Sequence, residues 1–131
     1  MPEMSVYDLW PGVAVFSAEV VARYHSLLAA GQSLPPVEVY QIGECKIVRD
    51  GNNRVRAYID HCRVTSTPFG SIECVPSTAK TPGPAALEGL RKMSGHYGCG
   101  PEAFARMPLA GHGEYEAVQT AVAREIFCKE P

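Results

Sequence analysis

Apolar and polar residues alternate through one stretch of the chain and recur every three to four residues through others. The change of period marks out the elements. Residues 37 to 41, Val-Glu-Val-Tyr-Gln, are rich in β-branched and aromatic side chains and read as a strand. Ile42-Gly43-Glu44 is a turn, and Cys45 to Arg49 is a second strand. So short a connection makes the pair a hairpin. After Asp50-Gly51 the period lengthens. Val55, Tyr58, Ile59 and Cys62 fall at i, i+3, i+4 and i+7, one face of a helix that begins near Asn52 and ends near His61 or Cys62.

The same reading extends to both sides of this stretch. Residues 1 to 11 read as an arm, and Val13 to Phe16 as a short apolar strand. Ser17 caps a helix with Glu19 in its first turn, where the dipole favours an acid. Val20, Val21, Tyr24, Leu27 and Leu28 form the buried face of that helix, His25 is a half-exposed residue on it, and Gly31 stops it. Ser71 to Val75 is the next strand, and the Pro, Ser, Thr and Gly-rich run 76 to 84 is a linker or an extended crossing. Helices follow at 85–93, 102–107 and 114–127, the last with Tyr115, Val118, Val122 and Ile126 on one stripe. The glycines at 95, 98 and 100 surround His96, Tyr97 and Cys99; that loop reads either as a lid or as a plain helix connection. The predicted fold is α/β in the broad sense (α+β). A small mixed sheet is built on residues 13 to 75, two helices pack on it, and a helical extension over about 84–130 flanks it, all within one domain spanning 1–131.

Composition narrows the choice of function. The 131 residues are 46% hydrophobic and 20% charged, near the globular average. A net charge of −2 opposes a strongly basic nucleic-acid binder. No apolar run approaches a bilayer span and no basic-then-apolar signal opens the chain, so a cytoplasmic protein without a membrane partner is expected. The five cysteines, 45, 62, 74, 99 and 128, are odd in number and irregular in spacing, which predicts reduced, mostly buried thiols rather than disulfides. His61 beside Cys62 is not a metal pair, because adjacent helix residues diverge by about 100°; no metal site is expected.

The junction between hairpin and helix carries the candidate chemistry. A helix start presents unpaired N–H groups and a partial positive charge. Gly51 lets a ligand approach the backbone, Asn52 and Asn53 are good cap residues, and Arg54 and Arg56 add positive charge suited to phosphate. The plain alternative is a well-capped helix after a turn, with arginines on its wet side.

Leu34-Pro35-Pro36-Val37-Glu38-Val39-Tyr40, the hairpin, and Asp50-Gly51-Asn52-Asn53-Arg54-Val55 resemble the ParB/sulfiredoxin superfamily over residues 12 to 75. Its members often carry an Asp-Gly-His-His-Arg or similar box at the start of a helix after a hairpin, and the box binds nucleotide phosphates. The resemblance implies phosphate binding by Asp50, Gly51, Asn52, Asn53 and Arg54, with ADP, ATP or CTP and Mg²⁺ as the ligand class. Asp50 would hold a divalent metal or orient Arg54. This box departs from its relatives. Asn52 stands where sulfiredoxins have their catalytic cysteine, and Asn53 where histidine is common. The Gly-Glu-Arg-Arg of partition proteins is absent as well. An amide has no proton to exchange near neutral pH, so a catalytic base would have to come from Glu38, Glu44 or Glu19. The leading expectation is a nucleotide-binding domain, as a phosphotransferase, a nucleotide hydrolase or a binder alone. A DNA-associated partition or nuclease-like protein ranks second, since Glu102-Ala103-Phe104-Ala105-Arg106 makes a poor recognition helix. An interaction module with a degenerate nucleotide pocket is the third.

Overall fold

The computed structural model describes residues 3–13, 15–42, 45–77 and 98–111, with isolated positions between 84 and 121. Five strands form one mixed sheet in the order Glu3–Ser5 (β1), Ser71–Pro76 (β6), Val37–Ile42 (β4), Cys45–Asp50 (β5), Leu9–Trp10 (β2). Its centre is the hairpin β4 (Val37–Ile42) and β5 (Cys45–Asp50), antiparallel with Val39 opposite Val48 and Tyr40 opposite Ile47. β6 (Ser71–Pro76) runs parallel to β4, with Val37 opposite Cys74. Gly43 and Glu44 of the predicted turn lie outside the described residues.

The N-terminal residues are not an arm. Glu3–Ser5 is strand β1, antiparallel to β6, and Leu9–Trp10 is β2, parallel to β5, with a 3-10 turn over Val6–Asp8 between them. Val6 and Leu9 are fully buried in the core. Segments this short show no period, so only their partners reveal them as strands. The predicted strand at Val13 to Phe16 reduces to β3 (Phe16–Ser17), which pairs in parallel with β7 (Leu109–Ala110) inside a predicted loop.

Two helices lie against the sheet. α1 (Ala18–Ala29) starts at Ser17, whose hydroxyl accepts the Val20 N–H at 3.3 Å. Of its expected buried face, Val21 is fully inside and Tyr24 is partly buried against the core. α2 (Asn52–Val64) runs two to three residues beyond the expected end, with Val55, Ala57, Ile59 and Cys62 buried. The core also draws on the chain beyond residue 75. α3 (Pro101–Arg106) buries Phe104 in it, stacked on Phe16 with ring centres 5.9 Å apart. Such an aromatic pair contributes about 0.5–1.5 kcal/mol beyond area burial. The helices predicted at 85–93 and 114–127, and the loop with His96 and Tyr97, fall largely outside the described residues. Cys62 and Cys74 are buried free thiols, and burial pushes the Cys74 thiol up; Cys99 is exposed. Among the described residues no helix is long and apolar enough to cross a membrane.

Candidate functional site

β5 delivers the chain to α2 through Asp50 and Gly51, and all five residues of the box meet there. Gly51 is left-handed (φ 105°) and is the N-cap of α2. The space where its Cβ would stand is filled: Val37 Cγ1 lies 2.6 Å from that point and the Arg54 guanidinium carbon 3.2 Å. Gly51 therefore lets the turn press against β4 and the arginine.

The side chains of the box turn inward. Asn52 is 4% exposed; its Oδ1 accepts the Gly12 N–H at 2.9 Å and its Nδ2 donates to the Val48 carbonyl at 3.0 Å. The segment before α1 is thereby tied to the end of β5. It passes so close that a Cβ on Gly12 would run into the Val48 carbonyl oxygen. Asn53 Oδ1 accepts the Ser17 N–H at 2.9 Å. Arg54 is the most committed of the set. Its Nη1 donates to the carbonyls of Pro36 (2.8 Å) and Pro35 (3.2 Å), its Nη2 pairs with Asp50 Oδ2 at 3.2 Å, and its guanidinium lies 5.9 Å from the centre of the Tyr24 ring. The two halves of the motif, Leu34-Pro35-Pro36 and Asp50 to Arg54, are thus one clasp. The proline carbonyls belong to residues that cannot donate to a ladder, and a forked cation satisfies both.

Arg56 is not on the wet side of α2. Its Nε bonds both carboxylate oxygens of Asp60 at 3.0 and 3.1 Å, and its Nη1 donates to the carbonyls of Phe104 and Met107, both at 2.9 Å. It closes the C-terminal end of α3 and lies 5.5 Å from the Phe16 ring centre. Nothing in the local spacing announces this role, because its partners are 48 and 51 residues away. Of the proposed bases, Glu38 is ion-paired with Arg49 at 2.9 Å, Glu19 is exposed on the first turn of α1, and Glu44 lies outside the described residues. Among the described residues no group of three or more His, Cys, Asp or Glu is arranged to hold a metal ion.

The backbone at this point is a different matter. The Asn53–Ser17 bond joins the first turn of α2 to the N-cap of α1, so two helices of 12 and 13 residues start side by side. The first turn of α2 contains no acid, and that of α1 carries the exposed Glu19. Two positive dipole ends therefore converge on a frame held by Asn52, Asn53 and Arg54. No family model, curated protein or solved structure matches the chain.

Proposed function

We propose that this chain binds a phosphate-bearing ligand, a nucleotide by class, where α1 and α2 start, and that it binds without transforming it. The observation behind this reading is the meeting of the two helix starts at the Asn53–Ser17 bond. Backbone N–H groups at helix starts take phosphate oxygens, and adjacent starts add their fields. The resemblance to ParB/sulfiredoxin boxes supports the same location. The box side chains would contribute by rigidity: a turn fixed in advance loses little entropy when an anion arrives. Asn52, Asn53 and Arg54 offer no group that exchanges a proton near neutral pH, which favours binding over phosphotransfer or hydrolysis.

Asn53→Asp tests this. The aspartate keeps the oxygen that accepts from Ser17 and suits a helix start. It also sets a negative charge where the phosphate would lie, which should weaken binding roughly ten- to a hundred-fold. Calorimetric titration with ADP, ATP and CTP, each with and without Mg²⁺, is the measurement. Saturable binding by the wild type that is lost in Asn53→Asp supports the reading. Equal affinity in both proteins moves the phosphate elsewhere. No binding by the wild type at millimolar ligand favours an interaction module with a degenerate pocket, the reading to which the inward-turned side chains of Asn52 and Arg54 lend weight.

A further inference from the structure

α1 and α2 run parallel. Asn53 meets Ser17 where they start, and roughly two turns further along the His61 ring lies against the His25 ring, centres 5.3 Å apart. A surface groove follows the seam between the helices. On α1 it is lined by the small side chains of Ala18, Ala22 and Ser26, one turn apart. Its two ends differ. At the start of the helices stands Leu109, held beside Phe16 by the β3–β7 pair, with Glu19 on the adjoining first turn of α1. At the far end stand Arg63 and Val64, in the last turn of α2. Leu109 is 45% and Val64 74% exposed, two of the three large apolar side chains left in solvent among the described residues. Glu19 and Arg63 are exposed as well, and among the described residues neither takes part in an ion pair.

We propose that a second copy of this chain docks in the groove, in a dimer whose two-fold axis passes between the helices beside Ala22. A two-fold axis returns the same patch in the opposite direction, so each end of the groove meets the other end of its partner. Leu109 of each copy then covers Val64 of the other, and Glu19 of each faces Arg63 of the other. Both exposed apolar side chains leave water and both exposed charges find an opposite charge, each twice by symmetry. The small side chains at the centre let the facing helix come close. Any amphipathic helix suits the apolar part of such a groove. The reciprocal match of its ends, apolar with apolar and acid with base, singles out a copy of the chain itself. The inference does not rest on the phosphate reading.

Sedimentation equilibrium of the full-length reduced protein decides it. The wild type should dimerise reversibly. Ala22→Glu sets two carboxylates against each other at the axis and should weaken dimerisation at least about a hundredfold. Ala22 is exposed in the single chain, so circular dichroism should show this variant folded as the wild type is. Glu19→Arg and Arg63→Glu should each weaken dimerisation roughly three- to tenfold, because two like-charge contacts replace two attractive ones. The variant that carries both changes should regain the wild-type affinity. A wild type that stays monomeric at submillimolar concentration overturns the proposal and leaves the groove to a different protein or to the C-terminal segment of the chain. A dimer that Ala22→Glu leaves intact, or whose affinity the charge swap does not restore, overturns it as well. The swap gives the answer even where Ala22→Glu does not fold.

Discussion

Arg54→Ala is expected to destabilise the protein by roughly 3–5 kcal/mol, mostly through two lost bonds from a charged donor at about 1.5–3 kcal/mol each. Those bonds run to the carbonyls of Pro35 and Pro36, which lose their forked donor together. The ion pair to Asp50 adds little, because that carboxylate is 60% exposed and screened by water. Arg54→Lys should recover only part of the loss, since an ammonium cannot reproduce the fork that reaches two carbonyls and a carboxylate. Urea unfolding of the three proteins is the measurement. If Arg54→Ala unfolds within about 1 kcal/mol of the wild type, in the range of ordinary surface substitutions, the clasp does not hold the loop. The expected result changes how a ligand experiment is read. Sequence alone assigns Arg54 to a phosphate and predicts a binding defect in Arg54→Ala. With the guanidinium committed to the frame, a defect in that variant would follow from loss of the frame, whereas Asn53→Asp alters the field and keeps the oxygen that accepts from Ser17.

What sequence showed and what it hid divide along a physical line. The hairpin and α2 were legible because their signals are local: β-branched alternation, a glycine turn, then apolar residues at helical spacing in Val55, Ile59 and Cys62. The cap of α1 at Ser17 was legible for the same reason. The strands at Glu3–Ser5 and Leu9–Trp10 were not, since two or three residues have no period and acquire strand character only from β6 and β5. At the box, sequence points the side chains at a phosphate, whereas the structure engages them with the protein itself. Arginine beside a glycine turn suits a phosphate and a pair of carbonyls equally well. Which one it meets depends on Pro35 and Pro36, 18 and 19 residues earlier, and on the hairpin that folds them back. Arg56, which the plain reading sets on the wet side of the helix, projects away from the junction and into α3 instead. The neighbour of His25 is not legible in sequence because it comes from another helix, and within one helix His61 stands beside Cys62 with the two pointing apart.

Gly51→Ala carries the second large effect, and its origin can be separated into parts. At φ 105° an alanine takes on left-handed strain of about 1–2 kcal/mol. Its new methyl also lands 2.6 Å from Val37 Cγ1, on a residue 1% exposed, where overpacking costs about 1–3 kcal/mol. Together these predict a loss of roughly 2–5 kcal/mol, read from urea or thermal unfolding. A double-mutant cycle isolates the second part. Val37→Ala alone opens a cavity beneath β4 and is itself destabilising. Combined with Gly51→Ala it removes the nearer of the two clashes, so the double variant should be more stable than the sum of the single losses by about 0.5–2 kcal/mol. Strictly additive losses would show that the turn yields around the new methyl and that backbone strain alone is felt. A Gly51→Ala protein as stable as the wild type would mean that the left-handed turn is not required. The clasp between Leu34-Pro35-Pro36 and Asp50 to Arg54 would then have to assemble around a different backbone.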